Sequence, residues 1–406
     1  MSEPTSVSAP PSVAELAPIP GFRFGGIACG IKKNGNPDLA VIIADSAVAC
    51  AGVFTRNRVV AAPVLRDRVV LAKTGRARAV VINSGNANAC TGEQGLADAE
   101  RMAALAAAAL GCSPDEVLVA STGVIGAPLP MERLEAGIPQ AVAAARSDGL
   151  AAFARALMTT DTRPKVRSAA LTVGDRVFHA AGACKGAGMI HPNMATMLAF
   201  VVTDAPIKSS DLDGLWRRVC QRSFNAITID GDTSTNDTAL LLAGGAGEPL
   251  SGADLAAFEA ALQPLATELA RDIVRDAEGG TKTVSVRVSG APDFAAAKQV
   301  AEAIALSPLV KTALYGQDPN WGRIIAAAGR SGVAVEPEKL VLHIGDALLF
   351  DQGRWLGKPA EIAAREVMLT PEYTLHLALG LGDVEHTVHT CDFGPGYVSI
   401  NADYRS

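Results

Sequence analysis

The 406-residue sequence is poor in aromatic residues and contains no Cys-x-x-Cys pair. Aromatic side chains make up 4% of the chain, whereas alanine and glycine are abundant and form runs such as AALAAAALG. Such runs are typical of helices that pack tightly on sheets. The seven cysteines are scattered and odd in number, which argues against a disulfide framework or a zinc site and favours reduced thiols in a cytosol.

Long apolar runs and blocks of like charge are also missing. No uninterrupted apolar stretch is long enough to span a bilayer, so we expect no membrane segment. The net charge is only -6 and no basic block is present, which argues against nucleic-acid binding and favours small-molecule chemistry. The first residues lack both a basic start and an apolar stretch, so we expect residues 1–20 to be a flexible N-terminus of a cytoplasmic protein.

Several familiar catalytic motifs are absent. The chain has no Gly-x-Ser-x-Gly elbow, Walker A loop or His-Glu-x-x-His, and GGIACG lacks the full dinucleotide fingerprint. His386, His389 and Cys391 resemble metal ligands, but alternation along a strand places His386 on the face opposite to the other two. We therefore predict neither a metal site nor a bound cofactor.

The hydrophobic pattern predicts a mixed α and β chain. Apolar runs of strand type alternate with Ala-rich amphipathic segments. Helices are predicted over residues 94–110, 130–146, 148–158, 209–222, 251–275, 292–305 and 358–368. Strands are predicted at 76–82, 116–122, 284–290 and 196–205, and the last third adds 339–345, 374–382, 385–393 and 397–405, whose alternation is typical of antiparallel sheets. Ser113 to Glu116 fits a capping box or a short turn.

The segment KGAGMIHPNMATMLAF, residues 185–200, joins a loop to an apolar strand at Thr196. Gly186, Gly188 and Pro192 prevent regular structure before it. Thr196 is either a β-branched strand former or a working hydroxyl held at the start of a rigid strand. Composition alone leaves Lys185 open between a surface lysine and a functional one.

Two loops rich in small polar residues follow apolar runs. They are NSGNANACTG (83–92) and DGDTSTNDT (230–238), and either could line a pocket or form simple turns. Asp161 in MTTDTRPK and Glu278 in EGGTK have the positions of ordinary helix-end residues.

The run KGAGMIHPNMATMLAF resembles the signature of ornithine acetyltransferase, also called glutamate N-acetyltransferase, from the cyclic arginine pathway. Similar stretches occur in family order over essentially the whole chain. They are GFRFGGIACGIK, INSGNANACTG, STGVIG, MTTDTRPK, DGDTSTNDT, EGGTK, YGQDPNWGRI and INADYRS.

This resemblance implies a self-cleaving precursor. The Thr196 hydroxyl would attack the Ala195 carbonyl, and hydrolysis of the resulting ester would leave an α chain, folded over residues 21–195, and a β chain of residues 196–406. The new α-amino group of Thr196 has an ordinary pKa of about 7.7 to 8.0 and sits beside the hydroxyl, so it can serve as its base.

The resemblance further implies transfer of acetyl from N-acetylornithine to glutamate through an acetyl-Thr196 ester. Thr122 and Gly123 match the family's oxyanion hole. The family's substrate-binding residues correspond to Thr160 or Thr162, between which the sequence does not decide, and to Lys185, Thr196, Glu278, Asn401 and Ser406. Ser406 stands where the family often has threonine. Whether acetyl-CoA also donates acetyl is left open.

The fold implied is a layered αββα sandwich resembling N-terminal-nucleophile hydrolases with different connectivity, plus a smaller C-terminal α/β portion. The cleaved chains would stay intertwined and pair into an α2β2 heterotetramer. Two alternatives stand beside the transferase: a self-processing aminopeptidase of the same fold, and a non-catalytic scaffold in which Thr196 only forms a strand.

Overall fold

The structure is a computed structural model that describes residues 18–191 and 197–403. The chain divides into two compact units. Of the described residues, unit 1 takes 18–185, 197–220 and 235–269, and unit 2 takes 186–191, 221–234 and 270–403. Each unit therefore combines segments from both sides of position 196.

Unit 1 holds a large sheet and most of the early helices. Its strands are β1 (Phe22–Ile27), β2 (Leu39–Phe54), β3 (Arg76–Asn86), β4 (Val117–Val124), β5 (Lys165–Val173), β6 (Arg176–Lys185), β7 (Leu198–Thr203) and, after the short β8 (Ile227–Thr228) of unit 2, β9 (Thr238–Ala243). Its helices are α1 (Ala62–Thr74), α2 (Gly92–Leu110), α3 (Met131–Ala144), α4 (Leu150–Leu157), α5 (Ser209–Gln221) and α6 (Gly252–Arg275), the end of which is counted with unit 2.

The sheet of unit 1 has eight strands in the order β4-β3-β2-β9-β7-β6-β5, and β1 pairs with the first part of β2. The strand β2 bends between Ile43 and Val48, where its pairing with β3 shifts register. Strands β7 and β9 run parallel to each other. These two come after position 196 in the sequence, yet they lie between β2 and β6, which come before it.

Both faces of this sheet are covered where β2 and β3 run. Leu39, Val41 and Ile43 pack with α2 and α3, while Ala40 and Ile42 pack with α4 on the opposite face. A strand buried on both faces needs a continuous apolar run rather than an alternating one, and LAVIIA supplies it. Buried alanines of α2, at 99, 103, 106 and 107, let that helix approach closely, as the composition predicts.

Unit 2 contains a seven-stranded sheet in the order β13-β12-β11-β14-β10-β15-β8. Its strands, besides β8, are β10 (Thr283–Ala291), β11 (Val341–Ile344), β12 (Ala347–Asp351), β13 (Arg354–Trp355), β14 (Glu372–Ala378) and β15 (Val384–Cys391). Its helices are α7 (Phe294–Ala305), α8 (Pro308–Tyr315), α9 (Trp321–Gly329), α10 (Lys358–Met368) and α11 (Pro395–Asp403). Helices α7 to α10 pack on one apolar face of this sheet.

The mixed α/β fold class with two helix-covered sheets and a smaller C-terminal α/β portion is confirmed. All seven predicted helices are present, with ends within about two residues of the prediction. Helices α1, α8 and α9 were not predicted. Ser113 to Glu116 forms a short turn, because a single 3₁₀ turn, Pro114–Glu116, is followed directly by β4.

Two predictions about the last third are corrected. Residues 397–405 were predicted as a strand, but the described part of that range belongs to helix α11. Pro395 is the first residue of this helix, where a fixed φ and a missing N–H favour helix initiation, and no strand pairs with the segment. The late sheet is also mixed rather than purely antiparallel, because β10 pairs parallel with β14.

The cysteines and the membrane question are settled for the described residues. All seven cysteines lie there as free thiols, four of them buried: Cys50, Cys184, Cys220 and Cys391. In the parts of the chain that the structure covers, no helix is both long and apolar enough to cross a membrane.

Candidate functional site

The first group of candidate residues lies where β3 and β4 end in unit 1. Thr122 and Gly123 are near the end of β4, paired with Ser84 and Gly85 of β3. Gly123 has a φ of +132°, and a Cβ added there would lie 2.3 Å from the carbonyl carbon of Gly85. Only glycine fits this close backbone approach, so the local sequence fixes the position of the Thr122–Gly123 peptide.

A network of amide side chains supports these strand ends. The Ser121 hydroxyl donates to Asn83 Oδ1 at 2.6 Å. Asn236, from the loop before β9, donates to the carbonyls of Ala87 (2.6 Å) and Ser121 (2.8 Å). Because these buried polar groups are mutually satisfied, the strand ends are held rigidly. The loops 83–92 and 230–238 thus do more than turn the chain.

Lys185 is the last residue of β6 and is only 3% exposed. Its Nζ lies 3.3 Å from the Thr122 hydroxyl oxygen. In the sheet it pairs with Leu198, which follows Thr196 by two residues in the sequence. The interpretation of Lys185 as a surface lysine is therefore wrong, and Thr122, Gly123 and Lys185 together form what we call the strand-end group.

Lys32 lies close to this group and was missed by the sequence reasoning. The Asp38 carboxylate accepts hydrogen bonds from the amides of Cys29, Gly30 and Lys32, which folds the loop before β2. Lys32 Nζ then donates to the carbonyls of Pro37 (2.7 Å) and Met158 (2.6 Å). Burial lowers the pKa of Lys32 to about 8, Lys185 adds to the decrease, and Asp38 and Asp161 oppose it.

The segment MTTDTRPK connects α4 to β5 in the same unit. Asp161 and Lys165 form an ion pair of 2.6 Å, with both side chains fully buried. Thr160 is half-buried and Thr162 is exposed. Asp161 is therefore a structural residue that fixes the loop carrying both threonines, and it is not an ordinary helix-end residue.

The strand that follows Thr196 is anchored by Asp237. The Asp237 carboxylate accepts from the Met197 amide at 3.2 Å, and the Thr238 amide donates to the Met197 carbonyl at 3.2 Å. Burial raises the pKa of Asp237 well above its ordinary value, whereas the Met197 amide, the Thr55 hydroxyl and the charge of Lys185 act in the opposite direction. Ala195 and Thr196, the predicted cleavage site, lie outside the described residues, as does Ser406.

The second group of candidates lies in unit 2, and we call Glu278 and Asn401 the turn group. Glu278 is half-buried in the turn after α6, and its amide donates to the Ala187 carbonyl at 2.9 Å. Asn401, exposed on α11, donates to Glu278 Oε2 at 2.9 Å. A Cβ at Gly188 would lie 2.3 Å from the same oxygen, so glycine there lets the backbone approach the carboxylate.

Asp230 orders the neighbouring loop of unit 2. It accepts from the amides of Met189 (2.6 Å) and Ile190 (2.8 Å) and from the Tyr397 hydroxyl (3.2 Å). Burial raises the pKa of Asp230, and these hydrogen bonds oppose the rise. Met189 has a φ of +56°, a left-handed conformation that is unusual for a non-glycine residue.

The histidines of β15 point to opposite faces, as predicted. His386 packs edge-on against Phe294 with ring centroids 4.9 Å apart. His389, on the other face, lies 2.9 Å from the Ser285 hydroxyl. Within residues 18–191 and 197–403, no three His, Cys, Asp or Glu side chains converge in a way that could hold a metal ion.

The structure thus brings Lys185 to Thr122 and Asn401 to Glu278. Sequence reasoning missed Lys32, Asp230, Asn236 and Asp237. The signal for them was present, because each lies in a segment that was noted: Lys32 in GFRFGGIACGIK, and the others in DGDTSTNDT. Their partners are remote in the sequence, which a motif does not reveal.

Comparison with known proteins supplies a family for this arrangement. The model of the ArgJ family matches residues 23–406. The arginine biosynthesis bifunctional protein ArgJ of Geobacter sulfurreducens is 51% identical over 392 residues, which cover 96% of this chain and 100% of that protein.

Two solved structures add to this. A crystal structure of the arginine biosynthesis bifunctional protein ArgJ from Bacillus halodurans matches with 41% identity and a TM-score of 0.50, over 52% of this chain and 100% of that chain. Ornithine acetyltransferase of Mycobacterium tuberculosis, solved in complex with ornithine, matches with 41% identity and a TM-score of 0.38, over 43% of this chain and 92% of that one.

Proposed function

This chain belongs to the ArgJ family, and we propose that it transfers the acetyl group of N-acetylornithine to glutamate in arginine biosynthesis. The observation that carries the proposal is the full-length match to a bifunctional arginine-biosynthesis protein at 51% identity. The buried Lys185 beside Thr122 supports it, because a cation near a hydroxyl at a fixed strand end suits the binding of a carboxylate substrate.

The first step proposed is self-cleavage. Thr196 Oγ attacks the carbonyl carbon of Ala195, the peptide C–N bond breaks, and the Thr196 nitrogen gains a proton. Water then hydrolyses the ester, giving a carboxylate on Ala195 and restoring the hydroxyl. One feature of the Bacillus halodurans comparison supports two chains, residues 1–195, folded from about residue 21, and residues 196–406: that chain is matched over 100% of its length and yet covers only 52% of this one.

Acetyl transfer follows by two half-reactions through one covalent intermediate. Thr196 Oγ attacks the acetyl carbonyl of N-acetylornithine, the amide C–N bond breaks, and ornithine leaves with a proton on its α-nitrogen. The glutamate amine then attacks the acetyl-threonine ester, and N-acetylglutamate leaves as the Thr196 oxygen regains its proton. The free α-amine of Thr196 acts as the base in each direction, so ping-pong kinetics are expected.

The strand-end group supplies the electrostatic part of the mechanism. Thr122 and Gly123 stabilise the oxygen anion of each tetrahedral intermediate, a role that requires a rigid peptide. The close packing of Gly123 on Gly85 supports this assignment. Lys185 binds the α-carboxylate that ornithine and glutamate share, and the nearby Lys32 adds positive charge.

The turn group and the remaining family positions complete substrate binding. Glu278 pairs with the side-chain ammonium of acetylornithine, and Asn401 orients that carboxylate through its hydrogen bond of 2.9 Å. Thr196 and Ser406 contribute hydroxyls. Of the two threonines in MTTDTRPK, the half-buried Thr160 is a better candidate than the exposed Thr162, because a partly enclosed hydroxyl gives more specific recognition.

Three further parts of the proposal concern the setting. We propose that acetyl-CoA also serves as acetyl donor, in keeping with the bifunctional relatives. We propose an α2β2 assembly of cleaved chains. A cytoplasmic location agrees with the seven free thiols.

The decisive experiment replaces Thr196. We expect Thr196→Ala to stay as one chain on a denaturing gel and to lose acetyl transfer, because the hydroxyl serves both reactions. Thr196→Ser, which keeps the hydroxyl, is the matched control and should still cleave and transfer. Full acetyl transfer by Thr196→Ala would refute the assignment, and release of N-terminal amino acids from peptides without acetyl transfer would favour the aminopeptidase instead.

A further inference from the structure

Two carboxylates of the segment DGDTSTNDT, the half-buried Asp230 and the buried Asp237, bind backbone amides on either side of the predicted cleavage site. Asp230 is bonded to Met189 and Ile190, and Asp237 is bonded to Met197. The six residues 191–196 lie between these anchor points in the sequence. One short segment therefore supplies a carboxylate to each end of the stretch that is to be cut.

The upstream anchor is strong because several donors converge on one side chain. Both oxygens of Asp230 accept backbone amides, at 2.6 and 2.8 Å, and the Tyr397 hydroxyl adds a third donor at 3.2 Å. The amide of Asp232 approaches as well, at 3.3 Å. Such a cluster stabilises the left-handed backbone of Met189, a conformation that is costly for a residue other than glycine.

At the downstream end, Asp237 binds one backbone amide, that of Met197, at a position closer to the predicted cut. The Met197 nitrogen that donates to Asp237 is covalently joined to the carbonyl carbon of Thr196, and consecutive Cα atoms are only about 3.8 Å apart. Asp237 is 0% exposed. Among the described residues, its Oδ2 has no hydrogen-bond partner, so the side chain is not simply one member of a saturated structural network.

We propose that Asp230 and Asp237 are positioning residues for self-cleavage: Asp230 fixes the backbone at residues 189 and 190, and Asp237 fixes it at residue 197, on either side of the predicted cut. The inference rests on the proposed function, since it presumes the cut. Attack needs the reacting atoms within roughly 3–3.5 Å, and a misplacement of about 1 Å can slow a reaction by about 100-fold. Each of these contacts also removes local backbone freedom that the reaction would otherwise have to restrict.

The test measures the rate of self-cleavage in the full chain. Asp230→Ala and Asp237→Ala, which remove the acceptor oxygens, are expected to accumulate uncleaved precursor and to cleave at least about 10-fold more slowly than the unmodified chain. Cleavage is followed by denaturing gel and by the mass of the fragment starting at Thr196. Asp232→Ala is the control within the same segment, because its side chain is exposed and its hydrogen bond to Asp230 is made by its backbone amide. It should cleave normally.

A second control separates positioning from a general loss of structure. Asp204 accepts the His179 amide at 2.6 Å just beyond the far end of β7. Asp204→Ala therefore removes a carboxylate–amide bond next to the same strand, away from residues 191–196. It should cleave at the normal rate even where its melting temperature falls as much as that of the two test variants.

Milder variants decide the matter if an aspartate variant fails to fold. Tyr397→Phe removes one donor to Asp230, and Thr55→Val removes the hydroxyl that hydrogen-bonds Asp237. Each should slow cleavage by roughly 2- to 5-fold in a folded chain. Normal cleavage rates in all folded test variants would overturn the inference. The proposed function would still stand in that case if Thr196→Ala stays uncleaved. An unmodified chain that is never cut would instead refute the proposed function.

Discussion

The strand-end group and the turn group differ in how the fold holds them. Thr122, Gly123 and Lys185 are at the ends of central or neighbouring strands, and Thr122 and Lys185 are 2% and 3% exposed. Glu278 and Asn401 belong to a turn and to a short helix, where Asn401 is exposed. The first group is fixed by backbone packing, whereas the second is connected by one side-chain hydrogen bond.

This difference matches the two tasks that acetyl transfer sets. Stabilising a transient oxygen anion requires donors that do not move, and we propose that the rigid strand ends provide them. Accepting ornithine in one half-reaction and glutamate in the other requires a region that tolerates opposite side-chain charges. A partly exposed carboxylate paired with a neutral amide meets that need better than a buried ion pair would.

The largest expected effect comes from Gly123→Ala. A Cβ would collide with the backbone of Gly85 at 2.3 Å, and the shift would misplace the oxyanion donors, so kcat should fall by about 100-fold or more. Gly126→Ala is the matched control, because Gly126 lies in the same STGVIG segment with a φ of +82° but has no atom within 4 Å of its Cβ position. Similar kcat values for both variants would show that the strand end is not rigid in the way described.

A smaller and more selective effect is expected from Glu278→Gln. Loss of the negative charge removes the partner of the acetylornithine ammonium, so KM for acetylornithine should rise by roughly 10-fold while KM for glutamate stays the same or falls. Steady-state kinetics with each substrate varied in turn measures both. Glu385→Gln, which removes an exposed carboxylate paired with Arg287 on the sheet of unit 2, should leave both constants unchanged; equal rises in the two KM values would break the contrast between the groups.

The smallest effect is expected from Asn401→Ala. It removes one exposed hydrogen bond to Glu278, worth about 0.5–1.5 kcal/mol, so kcat/KM for acetylornithine should fall by about 2- to 10-fold with little change in kcat. Ser399→Ala, on the same helix, removes a hydroxyl that donates to the Pro395 carbonyl within that helix and serves as the control. A large loss of kcat would place Asn401 with the catalytic residues instead.

Periodicity in the sequence predicted the long helices well because each has one clearly apolar face. It failed at α11, where Val398 and Ile400 are both exposed and no core-facing stripe exists to detect. It also missed the short helices α8 and α9, and α1, in which the buried Arg66 and Asp67 interrupt the apolar face. Periodicity could not predict that β10 and β14 pair parallel, because a long connection joins them and a local pattern does not describe how distant strands pair.

The candidate residues show the same limit in another form. Motifs located the strand-end and turn groups, but the partners of these residues come from remote positions: Lys32 bonds Met158, 126 residues away, and Asn236 bonds the Ser121 carbonyl, 115 residues away. Side chains such as Asp237 look like ordinary loop residues until the fold reveals which backbone amide they bind. Only the folded arrangement separates Asp230 and Asp237 from the exposed Asp232 beside them.

The place of β7 and β9 between β2 and β6 has a consequence for the lifetime of the protein. Once the Ala195–Thr196 peptide is cut, β7 and β9 belong to one product chain, while β2 and β6 on either side of them belong to the other. Separation of the two products then requires the buried hydrogen bonds between the central strands to break. Reassembly becomes a bimolecular association, which dilution slows. The cut product would therefore hold together for as long as it stays folded, but once unfolded it would lose the single-chain route by which it was made.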